Sequence, residues 1–511
     1  MPDLTLGIVA DDLTGAGDTA LPFFLDRRDT VVLASRDWAD ALDNFAAQGG
    51  LADSDVALAK AWVLNTQSRH SSAATAAEIT ADAFKLLKSR LNCDLYYKKI
   101  DSTLRGHVAA ECLAAVEALE ADCGVIVPAF PEQGRQTVGG YQLVHGIPLE
   151  RSDVARDPLA PMGQTYVPKI LADDLIRHHG EGADNLLGYV PLGTVLHGAG
   201  PILMALQAQA EAGKKLVLVD AATTEDLNQI ALALEKSRKN LSILPCGAGG
   251  LANALIRHWP TGSTTPLVQE SGDLQKDLLR KRELYKGELK NNELKNHELE
   301  DWPWPSPAGA DEFLPTLLVV GSYSRVTQIQ LEALLARRRQ AGQPITFIGL
   351  SPRQILGLSP TQPTVDTLAL ALNRGQLAVV STVVPTELPS HPEVDQNTYE
   401  ETLKLAEENE ISVWDAKLMA QNTLAQVVKA VLDAQPARLL ICGGETSYRV
   451  FEAIGGKAFC LAGQLAPQVP LCLEKRQNLP ERWIVTKSGG FGPPELLIDI
   501  LDKLNKIQAL K

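Results

Sequence analysis

Short apolar runs that stop at polar or glycine-containing turns recur along the whole chain, with helix-like segments between them, and this alternation constrains the fold more than any other feature. Leu6–Ala10 is the first such run, and Asp11 and Asp12 follow it at once. Further runs fall at 30–34, 61–64, 94–97, 124–127, 215–220 and 241–244. Alanine-rich helical segments lie at 72–87 and 109–119. Runs apolar throughout, rather than alternating, mark strands buried on both faces, and strands separated by helices predict a parallel α/β sheet. After residue 312 the pattern restarts with strands expected at 316–320, 345–348, 377–380, 439–441 and 483–485, and a helix over 421–432. The expected fold class is α/β with two domains, each a mostly parallel sheet flanked by helices, and an active site in the cleft between them.

Residues 262–312 break the pattern. A slipped Glu-Leu-Lys-Asn repeat between Gly287 and Glu300 is followed by a Trp/Pro run from Asp301 to Pro307. Such a segment is poor in apolar residues and reads as a linker or surface insertion. The domains are therefore expected at 1–261 and 313–511. A chain of 511 residues is too long for one core. Its net charge of −14 argues against nucleic acid or an anionic membrane as partner, because both require basic surface. No signal peptide, membrane span or C-x-x-C pair is expected, and the seven scattered cysteines fit reduced thiols in a cytoplasmic protein.

In open α/β sheets ligands bind at the carboxyl ends of strands, so the turns after the strands carry the candidate site. Asp11 and Asp12 are placed there to hold a substrate or metal, although one aspartate also suits a helix cap. Thr14, Gly15, Gly17, Asp18 and Thr19 suit a tight turn feeding that helix. Lys99, Ile100, Asp101, Ser102, Thr103 and Arg105 crowd into one turn after another strand. Cations there can hold a carboxylate or phosphate, and an aspartate can bind or deprotonate a hydroxyl. Arg69 is a candidate carboxylate clamp, and Arg135 and Gln136 are candidate substrate contacts.

In the second half, three glycine- and hydroxyl-rich turns follow strands, 321–327, 443–447 and 487–492. Glycines let a backbone approach phosphates, and helix starts favour anions, so three such turns together suggest a nucleotide site without a P-loop. Gly247-x-Gly249-x-x-Ala252 mimics a dinucleotide fingerprint and keeps open a nicotinamide-dependent dehydrogenase of a small hydroxy acid. Its place late in the domain favours simple helix–strand packing. A catalytically silent binding protein is the other alternative.

Asp11-Asp-Leu-Thr-Gly15, Lys99-Ile-Asp-Ser-Thr103 and Gly443-Gly-Glu-Thr446 together resemble the signature set of the four-carbon acid sugar kinase family. The resemblance implies ATP-dependent phosphorylation of threonate, erythronate or 3-oxo-tetronate, with a small-molecule acid as partner and homo-oligomerisation left open. It matches Asp12, Arg69 and Lys99 to Ser102 to substrate-binding positions. Ser322 or Ser324, Gly443, Gly444, Glu445 and Thr446, and Gly489 or Gly490, match ATP-binding ones. Asp12 and Asp101 become the candidate catalytic carboxylates. Mg²⁺ would bridge the ATP phosphates, with Asp11, Asp12 or Glu445 as indirect ligands. Tyr323 stands where a smaller residue is expected.

Overall fold

The first apolar run pairs in parallel with a strand on each side. The computed structural model describes residues 5–25, 30–47, 61–152, 155, 162–259, 314–322, 324–383, 398–474 and 482–509. The insertion at 262–312 and Tyr323 lie outside the described residues. The N-terminal strands of the main sheet begin with β1 (Leu6–Ala10), β2 (Thr30–Leu33), β3 (Ala61–Asn65), β4 (Leu95–Lys99) and β5 (Cys123–Val127). A small antiparallel sheet of β6 (Arg135–Val138), β7 (Tyr141–Val144) and β8 (Ile147–Pro148) follows. The main sheet resumes with β9 (Leu187–Val190), β10 (Leu216–Val219) and β11 (Ile243–Gly247). Helices α1 (Leu13–Leu25), α2 (Ala73–Ser89), α3 (Val108–Leu119) and α4 (Gly249–Leu255) belong to the same half.

The C-terminal half contributes β12 (Thr316–Val320), β13 (Ile345–Gly349), β14 (Leu377–Ser381), β15 (Arg438–Cys442), β16 (Ala458–Ala466), β17 (Val469–Glu474) and β18 (Arg482–Lys487). Helices α5 (Arg325–Gln340), α6 (Val413–Ala434) and α7 (Gly444–Ala453) flank them. The two parallel arrays expected of two domains are joined edge to edge. Among the described residues they form one fifteen-stranded sheet, ordered β13-β14-β12-β15-β18-β17-β16-β2-β3-β1-β4-β11-β5-β10-β9. The join is antiparallel: β16 pairs with β2 and with β17, which pairs with β18. The sequence analysis placed no strand at β16 or β17. Register shifts near Gly463 and Gln464 break the alternation that marks a strand.

Alternate residues of β1 serve opposite layers. Leu6, Ile8 and Ala10 face the cluster that contains α1, and Val9 faces the one that contains Phe84 and Leu113. Helix α1 is buried over most of its surface because β16, β17 and β18 cover it from the C-terminal half. Gly17 makes that approach possible: a Cβ there would lie 3.3 Å from Pro470 Cγ. The residues expected as a turn, Thr14 to Thr19, are instead the first turns of α1. The Phe23 ring stacks on Trp259 at 6.1 Å and ties the far end of the helix to the last described N-terminal residue. All seven cysteines are free, and no described helix is long and apolar enough to cross a membrane.

One buried ion pair holds the base of the site. Lys98 Nζ lies 2.7 Å from Glu111 on α3, and Ser68 Oγ donates to the same carboxylate at 2.7 Å. Burial works against the Lys98 charge, but Glu111 and Asp11 outweigh it and raise the ammonium above its ordinary range. Removing one partner of such a pair leaves a buried charge uncompensated. Glu111→Gln should therefore lower unfolding stability by about 3 kcal/mol or more, read from denaturant midpoints at pH 7.

A candidate active site at the strand ends

Strands β3, β1 and β4 are neighbours, so their carboxyl ends bring the turns after them together. Arg69 is the centre of what results. Its Nε lies 2.7 Å from Asp11 Oδ2, its Nη2 3.0 Å from Asp12 Oδ1 and its Nη1 3.0 Å from Asp12 Oδ2. Asp101 Oδ1 stands 3.8 Å from Nη2. The guanidinium expected to clamp a substrate carboxylate thus binds three of the protein's own. Burial pushes the Asp11 carboxyl up, but Arg69, Lys98 and Lys99 together hold it below the ordinary range.

Asp12 takes the helix-cap role considered for it and also pairs with Arg69. It caps α1, accepting the Gly15 N–H at 3.0 Å and the Thr14 hydroxyl at 2.9 Å, and it pairs with Arg69. Asp101 accepts from Arg105 Nε at 2.8 Å, from Arg105 Nη2 at 3.1 Å and from the Thr103 hydroxyl. Burial opposes its charge, yet Arg105 and Arg69 hold it well below the usual carboxylate range. The Ile100 side chain lies in the core, so only its backbone faces the turn, and its carbonyl accepts from Lys99 Nζ at 2.9 Å. Ser102 lends its carbonyl to Gln142.

Two cations retain unshared charge. Among the described residues Lys99 Nζ has only that carbonyl as hydrogen-bond partner, and it would lie 3.1 Å from a Cβ at Gly15. Arg135, on β6, donates to the Gln133 carbonyl and contacts His145 Nε2 at 3.4 Å, with no carboxylate in pairing distance among the described residues. Burial lowers its pKa, and Asp101 and Arg105 also act on its charge, which places it beside the same turn.

The three glycine turns also converge, because β12, β15 and β18 are neighbours. A Cβ at Gly489 would fall 2.0 Å from Ser322 Oγ and 3.4 Å from Ser324 Cβ. Gly443 has φ +117°, which only glycine adopts readily, and its N–H donates to the Lys487 carbonyl at 2.9 Å. Thr446 donates to Gln421 Oε1 at 2.9 Å, and Gln421 reaches the Gly321 carbonyl at 3.2 Å. Gly490 has open space beside it. Helices α5 and α7 start at these turns and present N–H groups suited to phosphate.

The two clusters touch. A Cβ at Gly444 would lie 2.8 Å from Asp12 Oδ2 and 2.7 Å from Thr14 Oγ1. Gln67 Nε2 donates across the junction to Glu445 Oε2 at 2.7 Å, and Arg449 holds the other Glu445 oxygen at 2.8 Å. Sequence reasoning did not single out Gln67; no local pattern marks a residue whose partner lies 378 positions away. The dinucleotide-like glycines, by contrast, face only the protein. A Cβ at Gly250 would meet the Ala129 carbonyl at 3.0 Å, and one at Gly249 would meet Phe130 Cε1 at 2.9 Å. They serve helix packing, so this motif offers the dehydrogenase reading no dinucleotide turn.

Asp11 Oδ1 is buried with no hydrogen-bond donor among the described residues, which suits a hard cation. No group of three His, Cys, Asp or Glu side chains set to hold a metal occurs among them. The arrangement thus fits Mg²⁺ carried largely by phosphate oxygens and met by one carboxylate.

Because Asp11 and Asp101 have depressed pKa values in the folded chain, the stability they contribute is full above their usual value of 3.8 and is lost as pH falls through the folded values. Arg69→Met removes the part of that contribution that Arg69 supplies, while Arg105, Lys98 and Lys99 still act on the two carboxylates. Its melting temperature should fall well below wild type at pH 7, and the difference should narrow steadily below about pH 4.

Residues 6–255 match the family model of a sugar-binding N-terminal domain, and residues 317–497 that of a nucleotide-binding C-terminal domain. The D-threonate kinase of Bordetella bronchiseptica is 28% identical over 495 residues, 96% of each chain. The D-erythronate kinase of Heliobacterium modesticaldum is 38% identical over 252 residues, 49% of this chain and 52% of that one. A 3-oxo-tetronate kinase of Cupriavidus necator is 25% identical over 98% of this chain and 97% of its own. The fold is shared with a solved Salmonella typhimurium LT2 protein, at a TM-score of 0.66 with 21% identity over 97% of this chain and 98% of that one. Haemophilus influenzae protein HI1011 shares it too, at a TM-score of 0.58 with 21% identity over 97% and 99%. With both halves matched in order and the same motifs assembled at one junction, the chain belongs to the four-carbon acid sugar kinase family.

Proposed function

We propose that this protein transfers the γ-phosphoryl group of ATP to a hydroxyl of a four-carbon acid sugar of the threonate, erythronate or 3-oxo-tetronate type, in the cytoplasm. The observation that carries this reading is the contact of the two clusters at Asp12 and Gly444. Residues 1–261 would bind the acid and 313–511 the nucleotide. The substrate carboxylate goes to Lys99 and Arg135, the cations with charge to share, and its hydroxyls to Asp12, Asp101 and the Ser102–Thr103 turn. ATP phosphates lie on Ser322, Ser324, Gly443 to Thr446, Gly489 and Gly490. Asp11 would meet a Mg²⁺ ion carried mainly by the ATP phosphates, and that ion would supply charge neutralisation for the transfer. Arg69 keeps the carboxylates of the acid-binding turn in place, and Arg105 fixes Asp101. Phosphoryl transfer needs positioning and charge neutralisation above all, which this junction supplies.

ADP release from Mg·ATP should appear with one of D- or L-threonate, D- or L-erythronate or the 3-oxo-tetronates. Silence across this panel, with ATP leaving the melting temperature unchanged, overturns the reading. Lys99→Met should raise the KM for the acid about 10- to 100-fold, the worth of one charge-assisted hydrogen bond. It should leave the ATP-induced rise in melting temperature as in wild type.

A further inference from the structure

The turn after β3 faces two ways. On one side Thr66 and Ser68, both fully buried, bind the chain leaving β1. The Thr66 N–H and hydroxyl each donate to the Ala10 carbonyl at 2.9 Å, and the Ser68 N–H donates to the Asp11 carbonyl at 3.1 Å. Arg69, next in the chain, holds the Asp11 and Asp12 carboxylates. Gln67 reaches the other way, across the junction, where its Nε2 donates to Glu445 Oε2 at 2.7 Å. Arg449 takes the second oxygen of that carboxylate, so both oxygens of Glu445 are occupied and the start of α7 is anchored to this turn. His70 extends the contact: its ring meets Trp414, at the start of α6, edge-on at 6.1 Å.

Gln67 is fixed in this pose. Its φ is +46°, a left-handed setting that a residue with a side chain keeps only where its surroundings hold it. Asn65 supplies the hold: its Oδ1 accepts the Gln67 N–H at 3.1 Å, and its Nδ2 donates to the Ala34 carbonyl at 3.1 Å. We propose that Gln67 is a positioning residue that couples the two substrate sites, tying the turn that carries Arg69 to the helix start that receives the ATP phosphates. The proposal rests on the kinase reading above. A nucleotide on the N–H groups at the start of α7 fixes Glu445, and Glu445 fixes Gln67. The same turn then holds Arg69, and with it the Asp11 and Asp12 carboxylates, against the acid. A ligand on either side orders one end of this link, so the second ligand has less left to order. By linkage the effect is reciprocal: each substrate tightens the other by the same factor.

The test is the affinity for one substrate with and without the other, by titration calorimetry on the full chain. The acid is whichever of the threonates, erythronates or 3-oxo-tetronates supports ADP release, and the nucleotide is the non-hydrolysable analogue AMP-PNP with Mg²⁺. In wild type AMP-PNP should tighten acid binding at least about fivefold, and the acid should tighten AMP-PNP binding equally. Gln67→Leu should bring both ratios within about twofold of one, with each ligand alone bound within about threefold of wild type. Gln67→Glu, which sets a carboxylate against Glu445, should do the same. A wild-type ratio near one overturns the assignment without any variant, and so does coupling retained in a folded variant. Much weaker binding of the acid alone also overturns it, because Gln67 is then a substrate contact or a plain structural support. Should neither variant fold, Gln67→Asn, one methylene too short to reach Glu445, carries the same expectation. Wild-type turnover with uncoupled sites refutes this inference alone, whereas no wild-type turnover with any of these acids refutes the kinase reading and this inference with it.

Discussion

The Arg69 guanidinium holds carboxylates from two different strand ends, Asp11 and Asp12 after β1 and Asp101 after β4. Three like charges in one buried volume repel, and each costs free energy to desolvate. One planar, permanently charged group with several donors meets all three, which a lysine does not. The geometry of the acid-binding turns follows from this constraint. With Arg69 and Arg105 committed to aspartates, positive charge for a ligand falls to Lys99 and Arg135.

Helix α1 carries that arrangement to the other half of the chain. Its N-terminus is capped by Asp12, its glycines admit Lys99 and Pro470, and its outer face meets β16 to β18. The antiparallel β2–β16 pairing makes the two arrays one sheet, so the glycine turns of the second half sit against the cap of α1. A phosphoryl donor bound on those turns would be presented directly to an acceptor at the strand ends.

Reading the turns alone located the residues but not their partners. The motif after β1 was legible because an apolar run ending in paired acids is local information. The pairing of Arg69 with those acids was not, since it joins positions 58 apart. Ile100 sits inside a polar motif, yet its side chain belongs to the core, a consequence of which way the chain turns after β4. The motif at Gly247 shows the opposite error: the spacing permits a dinucleotide turn, but Phe130, Ala129 and Leu227 already occupy the space the glycines open.

The sequence by itself determined the alternation of buried strands and helices, hence the parallel α/β class, the site at strand ends and the break near 262–312. These follow from short-range hydrophobic periodicity and turn chemistry. Tertiary structure alone decided that both halves share one sheet, that Arg69 serves its own aspartates, and that Gln67 reaches Glu445 across the junction. Each depends on contacts between residues far apart in the chain, and strand order and helix packing set those contacts while local composition does not.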